Sequence, residues 1–98
     1  MKIMEVIRKP IGAGKTTELI KMANGYNGYI VCRSKDAASY TFALARFLKC
    51  EINFPITYDE FLNGKYCGAG CKKFFIDDAD ELLFRISKIP IEAITISL

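Results

Sequence analysis

Short runs of consecutive apolar residues, separated by stretches of helical spacing, constrain this chain more than any other feature. Ile3 to Ile7 is stopped by Arg8, Lys9 and Pro10, Tyr29 to Cys32 by Arg33 and Ser34, and Phe74 to Ile76 by Asp77 and Asp78. Ile91 to Ile96 follows Pro90, which suits the first position of a strand because no ladder donor is needed there. A strand apolar at nearly every position is covered on both faces, the habit of parallel sheets. Between these runs, Thr16 to Ala23, Lys35 or Asp36 to Lys49, Tyr58 to Leu62 and Asp80 to Ser87 carry helical patterns. Asn24, Gly25, Asn27 and Gly28 end the first helix, and Asn63 and Gly64 end the third. Ile52 to Thr57 is a weaker strand interrupted by Pro55, and Lys65 to Lys73 is a glycine-containing basic loop. The alternation predicts an α/β fold: a mostly parallel sheet of four to five strands with helices on both faces, in one domain spanning 1–98. A chain of 98 residues leaves no room for a second core. Ligands of such sheets gather at the carboxyl ends of the strands, so the residues just after each strand are where chemistry is expected.

Composition narrows that chemistry. There is no histidine, which excludes imidazole as general base, proton shuttle or metal ligand and with it any hydrolase built on a histidine triad. Residues 1–49 carry nine Lys/Arg against three acids, a charge of +6, while residues 50–98 carry five against eight, a charge of −3. A basic half can meet phosphates and an acidic half can hold a divalent cation, although solvated surface is the commoner meaning of such a split. Cys32, Cys50, Cys67 and Cys71 come without an export signal, so free thiols are expected. Cys67 and Cys71 are spaced C-x-x-x-C instead of the C-x-x-C of a zinc knuckle, which argues against a metal site there. No apolar run reaches the roughly 18 residues of a membrane span, so a cytoplasmic protein is expected.

The strongest local signal is Gly12-Ala13-Gly14-Lys15-Thr16-Thr17, between the first strand-like run and the first helix. Glycines let backbone amides wrap a phosphate group, a helix N-terminus adds its positive end, Lys15 reaches the terminal phosphates, and the Thr16 hydroxyl is placed to ligate Mg²⁺. The full pattern G-x-x-x-x-G-K-[ST] asks for a small residue at position 9, where this chain has Lys9. Either the loop entry is displaced, or Lys9 points outward and assists the phosphates. The alternative for the whole element is a glycine-rich turn before a helix. The second signal is Phe74-Phe75-Ile76-Asp77-Asp78-Ala79-Asp80-Glu81. Asp77, at the end of its strand, is placed to meet the magnesium directly or through water, and Asp78 to orient or deprotonate an attacking water. Acids in this position also favour a helix N-terminus, and Asp80 and Glu81 need be no more than that.

Pro10 to Thr16 resembles the Walker A loop of helicase-type P-loop NTPases, and Asp77-Asp78-Ala79-Asp80 resembles their Walker B motif. Tyr29 to Ala38 looks like motif Ia of superfamily 1 helicases, and Thr57 to Leu62 like their T-x-x-x-F-L element. The chain is also similar to short P-loop proteins of bacteriophages, which carry no function across. The resemblance covers roughly residues 3–85 and implies a reduced RecA-like sheet, with Ile91 to Ile96 inserted between the Walker A and Walker B strands and Thr95 or Ser97 near the γ-phosphate. It implies ATP and Mg²⁺ as ligands, with Gly12, Ala13, Gly14, Lys15, Thr16 and Thr17 around the nucleotide, Thr16 and Asp77 at the metal, and Lys15 and Asp78 as catalytic residues. It nominates Arg33, Ser34, Thr57 and Tyr58 as contacts to single-stranded nucleic acid, beside the alternative that Ser34 and Thr57 cap helices or lie buried at an edge. Two departures temper the activity. Asp78 stands where the family places a longer glutamate, and the second lobe that supplies an arginine finger is missing, a residue that accelerates hydrolysis by about 10³ to 10⁵. The expectation is therefore an ATP-binding protein with weak or partner-stimulated ATPase activity in nucleic-acid metabolism, working with a protein partner or a second copy. The alternative is an inactive half domain that binds protein or single-stranded nucleic acid.

Overall fold

The computed structural model describes residues 4–10, 12–66, 71 and 73–97. Ile3, Ile11 and Cys67, which belong to the strand, loop and cysteine readings above, lie outside the described residues. Seven elements follow in order: α1 (Lys15–Ala23), β1 (Gly28–Cys32), α2 (Lys35–Phe47), β2 (Ile56–Thr57), α3 (Tyr58–Leu62), β3 (Lys73–Ile76) and α4 (Ala79–Ser87). The three strands form one sheet in the order β2-β1-β3, parallel throughout, with Val31 opposite Ile56 on one side and Ile76 on the other.

Alternation along β1 divides the core. Ile30 and Cys32 face α1 and α2, where they meet Leu19, Ile20, Ala23, Ala38 and Ala45. Val31 faces the opposite way, among Ile56, Tyr58 of α3 and Leu82 of α4. Because both faces of β1 are covered, four of its five residues are buried, which explains why it is a continuous apolar run. The fold is thus α/β with a parallel sheet and helices on both sides.

The sheet is smaller than the sequence predicts, with three strands among the described residues instead of four to five. Residues 4–7 and 91–96 are in no strand. Their apolar side chains explain the misreading: Met4, Val6, Ile91, Ile94 and Ile96 are all exposed, and of the first run Ile7 packs against the core. An apolar run forms a strand when a sheet edge and two covering layers are available to it. Among the described residues neither run pairs with an edge strand, β2 or β3, so Ile91 to Ile96 does not lie between other strands and Thr95 and Ser97 stay exposed outside the sheet. The aromatic residues Phe42, Phe47 and Phe54 are most simply read as core. None of the three joins the buried core: Phe42 is half-buried and packs against the Phe54 ring at 5.1 Å, while Phe54 is 53% and Phe47 81% exposed.

Helix starts are written in local chemistry. Ser34 caps α2, its hydroxyl accepting from the Ala37 amide at 3.1 Å. Thr57 and Glu60 form a reciprocal capping box at α3. Replacing Ser34 by alanine should lower unfolding free energy by about 1 kcal/mol. Urea denaturation checks this, and a variant as stable as the parent would remove the capping role.

Candidate phosphate and cation site

Parallel strands place all their carboxyl ends on one edge of the sheet, and the turn entering α1 meets that edge. Pro10 accepts a hydrogen bond from the Ala13 amide at 3.1 Å, and Gly12 and Gly14 sit at φ 81° and 86°, in the left-handed region that favours glycine. Gly14 is the N-cap of α1 and offers no side-chain cap. The first-turn amides of an α-helix have no partner within the helix, so those of Lys15, Thr16 and Thr17 are available to an anion. Lys9 pairs with Glu18 in the first turn of α1 at 3.1 Å.

Asp77 continues the path of β3, its amide donating to the Val31 carbonyl at 3.0 Å. Asp78 then turns the chain into α4 with φ 54° and ψ 59°, a left-handed conformation unusual for a residue with a side chain. The two acids reach different residues of α1. The Thr16 hydroxyl donates to Asp77 Oδ2 at 3.0 Å, and Lys15 Nζ donates to Asp78 Oδ1 at 2.8 Å. Contacts spanning 61 and 63 residues thus bring the glycine-lysine loop and the acidic turn together.

The electrostatics follow from this packing. Asp78, through its hydrogen bond and then its charge, holds the Lys15 ammonium above the usual lysine value, and the charges of Asp77 and Asp80 add to the effect. Burial pushes the Asp77 carboxyl up, and the neighbouring Asp78 charge pushes the same way, against the Thr16 hydroxyl and Lys15. A carboxylate beside a hydroxyl is a pair of hard oxygen donors of the kind Mg²⁺ takes, and the raised Asp77 carboxyl has to ionise to act as one. Among the described residues no three His, Cys, Asp or Glu side chains cluster for a metal. Thr16 and Asp77 are the oxygen donors at this corner that could take part in holding a cation.

Other nominated residues fall elsewhere. Gly12 and Ala13 are exposed on the loop and Thr17 is half-buried in the first turn of α1. Arg33 is exposed, and its carbonyl accepts from the Arg85 guanidinium at 3.2 Å. Ser34 and Thr57 are helix caps. Tyr58 is fully buried, so it has no surface to offer a nucleic acid, and its hydroxyl instead faces the carbonyls of Asp77 and Asp78. Sequence reasoning missed this role because a tyrosine opening a helix after a short strand carries no sign of which turn it lies beneath. Cys32, Cys50 and Cys71 are free, and burial pushes the Cys32 thiol up. No helix is long and apolar enough to cross a membrane among the described residues. An open cavity of about 490 Å³ lies on another part of the surface, lined by Lys35, Phe54, Thr57 and Tyr66 among others and by none of the loop or acidic-turn residues. No family profile, curated protein or solved structure matches the chain.

Proposed function

We propose that this protein binds a nucleoside triphosphate with Mg²⁺, ATP being the form to test, and turns it over slowly or only with a partner. The observation that carries the reading is the convergence of Lys15 with Asp78 and of Thr16 with Asp77 at an uncapped helix N-terminus. Each half suits one part of the ligand. The first-turn amides of Lys15, Thr16 and Thr17 and the Lys15 ammonium would attract the phosphates, and Thr16 and Asp77 would hold the cation. Mg²⁺ bound there would neutralise charge on the outer phosphate oxygens. Lys15 exchanges Asp78 for phosphate when the ligand arrives, because one ammonium at 2.8 Å from a carboxylate is already committed. Asp78, released from Lys15, is the residue left to orient a water. Its short side chain and its competing hold on Lys15 both favour slow hydrolysis. Nucleic-acid metabolism and the bacteriophage setting rest on the resemblance alone.

A second reading, a protein-binding half domain, draws on the exposed apolar residues Phe74, Phe84, Ile86, Ile89, Ile91 and Ile94. Calorimetric titration with ATP separates the two. Saturable binding in the micromolar to millimolar range that strengthens when Mg²⁺ is added is expected. Absence of binding with Mg²⁺ present sinks the nucleotide reading and leaves the binding module. Phosphate release measured with and without single-stranded DNA then distinguishes a stimulated ATPase from a nucleotide-binding protein.

A further inference from the structure

The left-handed backbone of Asp78 needs an explanation, because a non-glycine residue held there costs about 1–3 kcal/mol and persists where its surroundings fix it. Part of the fixing comes from α4 itself, whose Glu81 and Leu82 amides donate to the Asp78 carbonyl at 2.9 and 3.3 Å. The rest comes from across the sheet. Tyr58, the first residue of α3, is fully buried among Val31, Ile56 and Leu82, and the Arg85 guanidinium lies over its ring at 5.3 Å. Its hydroxyl approaches the Asp77 carbonyl at 2.6 Å and the Asp78 carbonyl at 2.8 Å, sharing one proton between them.

Two successive carbonyls drawn to one donor fix the peptide planes on both sides of Asp78. With the planes fixed, the direction of the Asp78 side chain is fixed, and so is the step between it and Asp77. We propose that Tyr58 is a positioning residue: its hydroxyl holds the Asp77-Asp78 turn in the one conformation that presents the first carboxylate to Thr16 and the second to Lys15. The link to nucleotide rests on the function proposed above, while the hold on the turn does not. The capping box that starts α3 at Thr57 anchors Tyr58 to the end of β2, so this corner sets the geometry of the β3 turn from beneath.

Tyr58→Phe keeps the ring and removes the hydroxyl, and two measurements on the full chain test it. Without any ligand, NMR of the parent is expected to show the amide to α-proton coupling and chemical shifts of a left-handed Asp78, and the variant to lose them together with the proximity of Asp77 to Thr16. An unchanged Asp78 in a folded variant overturns the proposal, whether or not the protein binds nucleotide. With ATP, the Mg²⁺-dependent gain in affinity should fall about tenfold, the scale of a lost buried hydrogen bond. Affinity for ATP without Mg²⁺ should not fall, because a turn that no longer presents Asp78 to Lys15 leaves the ammonium freer to meet phosphate. Ala45→Gly in α2, remote from the turn, supplies a destabilised comparison. If it reduces the Mg²⁺-dependent gain as much as Tyr58→Phe does, Tyr58 is structural only and the positioning role falls. A parent that does not bind ATP at all refutes the nucleotide reading and leaves the NMR result to decide on Tyr58.

Discussion

Lys15→Ala is expected to weaken Mg²⁺-ATP binding by about 100-fold or more, the scale of truncating one partner of a charged pair and leaving the other uncompensated. Two effects combine. The phosphates lose the side-chain cation that, among the described residues, lies within hydrogen-bonding distance of Asp78. Asp77 and Asp78 also lose their positive neighbour, so an incoming polyphosphate meets two carboxylates with nothing between. Asp77 is already raised by burial, and removing the Lys15 charge, which opposes that rise, makes its ionised form costlier still. Stability should change far less than affinity, because the Lys15–Asp78 pair is partly open to solvent, with 27% of each side chain exposed. Calorimetry on parent and variant, with urea denaturation of both, checks the two together. Equal binding by the two proteins would mean that the loop does not hold the phosphates.

The elements that make this prediction are those the sequence states most openly. A glycine-lysine-threonine turn ahead of a helix, and paired acids after an apolar strand, are local patterns whose residue types already imply phosphate and cation chemistry. The glycine-lysine turn follows no strand among the described residues, yet the structure brings Lys15 to Asp78 and Thr16 to Asp77. Helix starts are also legible, since Ser34 and Thr57 satisfy backbone amides within three residues of themselves. What depends on distant partners is not. The runs at 4–7 and 91–96 look like β1, yet a strand needs an edge to pair with, which no pattern within the run reveals. Tyr58 has the opposite problem. Its neighbours in sequence suggest an accessible helix start, but its hydroxyl partners lie 19 and 20 residues away. Lys9, which breaks the expected loop pattern, pairs instead with Glu18 of α1.

Gly28 extends that lesson to a second large effect. In the sequence it stands with Asn24, Gly25 and Asn27 as a stop signal for α1, and any of these looks replaceable. In the sheet it is the first residue of β1, directly opposite Lys73 of β3. A β-carbon on Gly28 would run into the Lys73 carbonyl oxygen and lie 3.0 Å from its carbon, contacts with backbone that no rotamer relieves. The strands would have to part. Gly28→Ala should therefore lower stability by about 3 kcal/mol and, for a domain of this size, the melting midpoint by roughly 15 °C. Gly25 is the internal comparison. It sits at φ 79° with nothing within 4 Å of an added β-carbon. Gly25→Ala should consequently cost only the backbone strain of about 1–2 kcal/mol. The larger loss should also reach the candidate site, since β3 carries the acidic turn and Asp77 is tied to β1 through the Val31 carbonyl. Urea denaturation of both variants decides the matter. A Gly28→Ala protein no less stable than Gly25→Ala would mean that β1 and β3 are not in this register. A correct ranking would tie the separation of Asp77 from Thr16 to the pairing of two strands whose contact begins at a residue with no side chain.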